Sequence, residues 1–414
     1  MRVLVIGAGA IGLSCAYFLA RRGATVTVAD PRGPGGGASR RNAGWVVPSM
    51  SAPVPAPGTV VKSLRWTLRR DSPVHIRPSL DRAFARFMTA MLRRCNRADY
   101  AHGLHVTAEL NRRTLELFDL LRADGVDFEH HRTGLLLAFL TEKSLHQHAE
   151  ELAGLTRYGT PAPEVLSAGE ARHTEPALSD AIVGAIRCPG EQHLDPDSFV
   201  DQLAAACRDR GVTFVREEVT DLHERDGTRI GAATGPGDTA LRADAFVIAG
   251  GAWTPRLTGP LGFRLPLQAG KGYGFDFRPA PVRLRTATYL SEAKVAVTPL
   301  TSGIRLAGTM EFTGLDENVD TVRAGAIADS AGRYFRTWDT TAARPRAWAG
   351  LRPMTPDGLP AIGPVPGYDN VLVAAGHAML GITLAPVTGH LVQRMLLDGT
   401  VPPEVEPFLP DRFA

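Results

Sequence analysis

The opening thirty residues constrain this chain more than any other stretch. Val3-Leu4-Val5-Ile6 is largely β-branched and carries no charge, as expected of a parallel strand buried on both faces. Gly7, Gly9 and Gly12 then spell GxGxxG, Leu13 to Arg22 is helical in pattern, and Thr25-Val26-Thr27-Val28-Ala29 runs up to Asp30. In such a turn Gly7 permits the tight bend, Gly9 lets a pyrophosphate approach the backbone, and Gly12 lets the helix pack close to the strand. The helix start offers free N–H groups and a partial positive charge to a diphosphate. Asp30 stands where a ribose 2′-hydroxyl is received. Glycines that serve packing alone would not explain an acid at the close of the second strand, so the order strand, turn, helix, strand, acid predicts a dinucleotide site that includes Ile11 and Pro31.

The chain has 414 residues, enough for two domains. Its formal charge of +3 gives no reason to expect nucleic acid or another polyanion as partner. Four of its 46 basic residues are lysines, Lys62, Lys143, Lys271 and Lys294, and codon bias in a GC-rich genome is the simplest account. Cys15, Cys95, Cys188 and Cys207 lack metal-ligand spacing and read as buried thiols of a reducing cytoplasm. No secretory leader or membrane-spanning run is visible, so the expected location is cytoplasmic. No internal repeat suggests a scaffold.

Beyond Asp30, the glycine-rich run to Ser39 suits a loop laid along the cofactor, followed by Asn42-Ala43-Gly44. The basic, partly amphipathic stretch Lys62 to Arg70 reads as a surface helix, an active-site cover or a peripheral membrane contact. Leu80 to Leu121 is helical in period, and its Phe84, Phe87, Met88, Met91 and Leu92 are expected in the core. His130-His131, His146 and His148 read as surface histidines, and no metal is expected. Gly134 to Leu140, Leu265 to Phe277 and Ile304 to Phe312 read as strands outside the nucleotide core. Phe246 to Trp253 and Val371 to Ala375 are strands leading into glycine turns, so the nucleotide domain is expected to be discontinuous. Its expected parts are 1–78, 165–254 and 350–414, with 79–164 and 255–349 forming the substrate domain. The fold class is α/β: a Rossmann-type domain plus a second domain with a mixed or antiparallel sheet and helices.

Together the amino-terminal fingerprint, Asn42-Ala43-Gly44, Phe246 to Trp253, Gly350-Leu351-Arg352-Pro353, Thr355-Pro356-Asp357-Gly358 and the Gly376-His377 segment resemble the FAD-dependent amine and amino acid oxidoreductases. That family includes D-amino acid oxidase, glycine oxidase, sarcosine oxidase and bacterial D-amino acid dehydrogenase. Pro53 to Pro57, Leu64 to Trp66 and Gly270-Lys271-Gly272-Tyr273 are most similar to the dehydrogenases.

The resemblance implies FAD, with Gly7, Gly9, Gly12 and Asp30 at its ADP half and Val219 at the adenine. It places Gly250 and Trp253 near the pyrophosphate, Ser39, Asn42, Ala43 and Gly44 beside the flavin, and Gly376, Gly381, Ile382 and Thr383 at its pyrimidine edge. It gives Arg352 the substrate carboxylate, a role suited to a two-pronged guanidinium that fixes the Cα–H toward flavin N5. The alternative for Arg352 is an ion pair near Asp357. Tyr273 either lines the substrate pocket or is a buried tyrosine with a satisfied hydroxyl. His377 either contacts the flavin and substrate or caps the preceding strand, and Lys271 is either catalytic or paired with a carboxylate.

The implied reaction is oxidation of the C–N bond of a D-, cyclic or N-alkyl amino acid by hydride transfer to the flavin, and hydrolysis of the imine yields a keto acid. A quinone, a carrier protein or oxygen would accept the electrons. The alternatives are a glycine or sarcosine oxidase, a flavin subunit of a larger complex, or an NAD-binding reductase. Gly350 stands where sarcosine oxidases carry a flavin-linked cysteine, so the FAD is expected to be non-covalent. Ala378, Ile382 and the segment Gly190 to Pro196 depart from the dehydrogenase pattern and bear on the substrate side chain and the acceptor.

Overall fold

The opening strand Arg2–Ile6 lies in the middle of a six-stranded sheet. The computed structural model describes residues 1–58, 74–77, 81–237, 239–338 and 344–414. Strand order in this sheet is Thr213–Val215, Thr25–Ala29, Arg2–Ile6, Ala245–Ile248, Val371–Ala375 and Ala361–Pro364. The first five are parallel and the last is antiparallel to its neighbour. Val3 to Ile6 are buried because both faces of the sheet are covered. The helix Ala10–Arg21 covers one face together with Pro196–Asp209 and Ala385–Leu397. Gly389 allows the last of these to approach, since a Cβ there would stand 2.5 Å from the Ser14 carbonyl. Strands from both ends and the middle of the chain thus build one nucleotide-type core.

A nine-stranded sheet faces it. Its order is Trp348–Met354, Gln268–Phe277, Gly303–Phe312, Val295–Leu300, Ala287–Leu290, Leu135–Phe139, Gly184–Cys188 and Glu164–Ser167, with Val74–Ile76 paired to the end of Gly303–Phe312. It is mixed: most pairs are antiparallel, while Ala287–Leu290 runs parallel to Leu135–Phe139. The helix Thr321–Ala331 packs on one face through Ile327 and Ala328 against Tyr273, Phe275 and Leu306. Glu164–Ser167 and Gly184–Cys188 fall largely within 165–254, the stretch expected to go with the nucleotide core, but they extend this second sheet. The reason is Leu135–Phe139: it is buried throughout, so its outer edge needs a backbone partner, and Gly184–Cys188 supplies one.

The helical region from 80 to 121 resolves into Arg82–Arg94, Arg97–Asn111 and Thr114–Ala123. Asp81 and Asn96 cap the first two by accepting backbone N–H bonds. A small sheet of Trp45–Val46, Gln192–Leu194 and His130–His131 ties the layers together. This changes the reading of the histidines: His130 packs among Phe118 and Phe128, and His131 stacks on buried His193. Cys15, Cys188 and Cys207 are buried, and Cys95 is half-buried. Among the described residues no helix is long and apolar enough to cross a membrane. The stretch Lys62 to Arg70, with Leu64 to Trp66, lies outside the described residues.

Candidate active site

An elongated cavity of about 1170 Å³ runs between the two large sheets. Ile6, Ala29, Ala249 and Ala375 line it, so it opens at the carboxyl ends of the parallel strands, the usual ligand crevice of such sheets. It exceeds the roughly 300–1,000 Å³ of a pocket for one small molecule. Gly7, Gly9, Ile11, Asp30, Pro31, Ser39, Asn42, Ala43, Val219, Gly250, Trp253, Arg352, His377, Gly381 and Ile382 all line it.

Gly12, Gly44, Gly376, Thr383 and Tyr273 are not in its lining. The first four stand behind the wall and shape it. A Cβ on Gly12 would collide with the Gly7 carbonyl, and one on Gly376, at φ +81°, would sit 2.7 Å from Thr355 Cγ2. Gly44 N–H donates to Asn42 Oδ1 at 2.8 Å, holding that turn. Thr383 Oγ1 donates to the Trp45 carbonyl at 3.0 Å and accepts from Val47 N–H at 3.3 Å, which fastens the carboxyl-terminal segment to the strand Trp45–Val46.

The nucleotide end fits a diphosphate and a ribose. The helix Ala10–Arg21 begins at Gly9 with no capping side chain from the N-cap residue itself, so its first turn faces the cavity as an anion site. A Cβ on Gly9 would point past Ser39 Oγ at 3.1 Å, and Ser39 Oγ itself accepts from Ala10 N–H at 2.8 Å. Asp30 is held by Ala8 N–H at 2.9 Å and Arg32 N–H at 2.8 Å, which leaves further lone pairs for a sugar hydroxyl. Arg32 lies 4.4 Å over the Trp253 ring and reaches both Glu317 carboxylate oxygens at 3.0 Å.

Arg305, buried to 1% exposure, supports the middle of the cavity. It donates to Asp276 at 2.6 Å, to Asp197 at 3.0 Å, and to the Arg40 and Asn42 carbonyls at 3.0 and 3.2 Å. The segment carrying Asn42 and Ala43 is therefore pinned from below. No sequence signal marked Arg305.

At the far end Arg352 projects from the strand Trp348–Met354. Its Nη1 donates to the Thr309 carbonyl at 2.7 Å, and no carboxylate pairs with it among the described residues. Asp357, the alternative partner, binds Arg412 at 2.8 Å instead. Desolvation at the cavity wall lowers the pKa of its guanidinium to about 10. Thr309 sits in a bulge of Gly303–Phe312, with φ +66°. Lys294 and Ala378, at φ +58° and +48°, are likewise non-glycine residues in the left-handed region, and all three line the cavity. Backbone strain of this kind gathers at functional sites.

Tyr273 does not line the cavity and takes the other of its two readings, a buried tyrosine with a satisfied hydroxyl. Strand alternation turns Gly270, Gly272 and Gly274 toward Met310, Arg352 and Trp348, and sends Lys271, Tyr273 and Phe275 to the opposite face. There the Tyr273 hydroxyl donates to Glu311 at 2.7 Å, Lys271 donates to Asp316 at 3.0 Å, and Arg323 pairs with Glu311 at 2.8 Å. Tyr273 therefore anchors the sheet. The legible signal was the GxGxG spacing, since glycine repeated every second residue in a strand marks a close approach.

His377 lines the cavity at 2% exposure, with Nε2 3.0 Å from Thr388 Oγ1 and no partner for Nδ1 among the described residues. Burial lowers its pKa to about 3, so the ring is neutral. Met91 is buried in a core cluster with Met88 against it, as expected, whereas Leu92 is 48% exposed; all three also line the cavity. Helical period identified their apolar face but not what lies against it.

The family model described as FAD dependent oxidoreductase matches residues 2–395. A D-amino acid dehydrogenase of Methylobacterium nodulans is 38% identical over 409 residues, 96% of this chain and 95% of that protein. One from Bradyrhizobium diazoefficiens is 36% identical across 100% of this chain and 99% of its own length. Among solved structures, glycine oxidase from Geobacillus kaustophilus superposes with a TM-score of 0.76 at 24% identity, covering 100% of this chain and 99% of that one, a likeness of fold.

Proposed function

Because the chain belongs to the FAD dependent oxidoreductase family, we propose that it oxidises the C–N bond of a free D-amino acid. The substrate loses its Cα hydrogen together with two electrons, as a hydride equivalent, and one N–H as a proton, to become an imino acid. Water then adds to the imine carbon and releases ammonia, leaving a 2-oxo acid. FAD, when bound, supplies the two-electron sink.

One observation carries this reading: a half-buried guanidinium faces the cavity with no acidic partner among the described residues. A substrate carboxylate is the counterion Arg352 lacks, and two parallel N–H donors would fix its plane. Thr309, through its carbonyl, holds the guanidinium in that direction. His377, being neutral, neither competes for the carboxylate nor carries a proton from the amine near neutral pH. The FAD-holding half is assigned to the parallel sheet and its helices, and the substrate half to the nine-stranded sheet. Retention of FAD is read as non-covalent, since a Cβ on Gly350 would meet the Arg41 carbonyl at 2.9 Å and leaves no room for a linking side chain.

The name of the relatives supports a D-configured substrate and an acceptor other than oxygen, either a quinone or a carrier protein. The test is anaerobic titration of the purified holoenzyme with D- and L-amino acids, glycine and sarcosine, followed by air. Bleaching by D-amino acids with slow return of colour is expected. Bleaching confined to glycine or sarcosine, with fast return, would make it an oxidase of small amines. Flavin released by acid precipitation is expected for a non-covalent cofactor. Peripheral contact of a cytoplasmic enzyme with the inner membrane is proposed for Lys62 to Arg70, and cosedimentation with anionic vesicles at low salt tests it.

A further inference from the structure

We infer that the substrate carries a bulky apolar side chain, received in a methionine-lined chamber beside Arg352. This rests on the reading of Arg352 as the carboxylate clamp. Of the chain's 8 methionines, Met88, Met91 and Met310 both line the cavity and pack in the cluster beside Arg352. Two of them share one stripe of the helix Arg82–Arg94, and the chamber adjoins the clamp because Met310 Sδ lies 4.0 Å from Arg352 Nη1. The wall is built, since Phe87 on the helix meets Phe312 on the strand at a ring separation of 5.9 Å, and both belong to one core cluster with Met91 and Met310.

The chemistry of this wall selects. Thioethers are flexible and polarisable, so they close around aliphatic and aromatic groups of different shape. The acids of the cavity, Asp30, Glu218 and Glu317, lie outside this cluster, as does Arg32 paired to Glu317. Arg41, Arg256 and Lys294 also line the cavity but lie outside the cluster, so a carboxylate or ammonium on the substrate side chain would lose its hydration among these sulfurs and rings with no counter-charge in the cluster itself among the described residues. The same wall accepts leucine-, methionine- and phenylalanine-like side chains with little distinction among them. An alanine methyl would bury less apolar surface against this wall than those side chains do.

The test is stopped-flow reduction of the anaerobic holoenzyme by D-alanine, D-leucine, D-methionine, D-phenylalanine, D-aspartate and D-lysine. D-Leucine, D-methionine and D-phenylalanine are expected within about tenfold of one another in kcat/KM, and about tenfold or more above D-alanine from the added buried methylenes. The two charged substrates are expected about a hundredfold below the apolar group. D-Alanine, D-aspartate or D-lysine as the best substrate would overturn the inference while leaving the amino acid reading intact. Reduction by none of them would remove that reading, and this inference with it. In Met88→Arg the ratio of kcat/KM for D-aspartate over D-methionine is expected to rise at least tenfold. That ratio does not depend on the fraction of enzyme folded, so an unchanged ratio counts against the chamber.

Discussion

The guanidinium of Arg352 occupies the space that a side chain on Gly272 would need. A Cβ at Gly272 would collide with both terminal nitrogens and the carbon between them. The two residues sit on adjacent antiparallel strands, Gly272 opposite Gly350 and Arg352 opposite Gly270. The clamp is therefore a product of the sheet register: one residue of slip would put Lys271 or Tyr273 where only glycine is tolerated.

Gly272→Ala tests that relationship. The group displaced is the free end of a flexible side chain, so the fold should lose little, on the order of 1 kcal/mol. Misdirection of the guanidinium should nonetheless lower kcat/KM by about a hundredfold, with FAD still bound. Steady-state kinetics beside the visible spectrum and a melting curve decide the matter. Arg352→Lys should fare no better, because a point charge does not replace a planar fork. Retention of wild-type kinetics in either variant would remove Arg352 as the clamp.

Gly9 and Gly12 should separate cofactor binding from folding. A side chain on Gly9 meets no atom nearer than Ser39 Oγ, whereas one on Gly12 runs into the main chain of Gly7. Gly9→Val is therefore expected to give a folded protein without flavin, and Gly12→Val a protein that does not accumulate. Flavin stoichiometry by absorbance, with circular dichroism of the apoprotein, distinguishes them. Full flavin content in Gly9→Val would contradict a diphosphate at that turn.

Arg305 makes the clearest case for a residue invisible in sequence. Its partners Asn42, Asp197 and Asp276 lie far apart along the chain, and they converge only because two sheets and a loop meet there. The fingerprint from Gly7 to Asp30 was legible for the opposite reason, since its parts are neighbours in sequence and each has a local task. Tyr273 has two readings in sequence because it is the large residue of its motif, and period-two alternation, which points the small ones toward the site, decides for the buried one. Met88 and Met91 show a further limit: they pack in a core cluster as their helical stripe implies, but the stripe does not reveal that the same side chains also line a cavity. Arg305→Met should cost about 3 kcal/mol, as expected when a buried ion pair loses one partner. It should also weaken FAD binding by loosening the segment at Asn42. A melting curve and flavin fluorescence report the two effects, and unchanged FAD affinity would show that this segment does not need its support.

Glu191 makes stability depend on pH. It is 3% exposed, and Oε1 accepts from Ser49 N–H at 3.0 Å while Oε2 has no partner among the described residues. Desolvation is the largest cause that raises its pKa, from the ordinary 4.5 to about 7. The folded protein thus holds a proton that the unfolded chain releases between these values. The stabilisation is full below about pH 4.5 and is lost as the pH rises through about 7, a difference of about 3 kcal/mol. Glu191→Gln keeps the shape and the bond from Ser49 but cannot ionise. Wild type and variant should therefore melt together near pH 4.5, and the variant should melt a few degrees higher at pH 8. Parallel melting curves across that range would mean that Glu191 ionises in the fold as freely as it does in the unfolded chain.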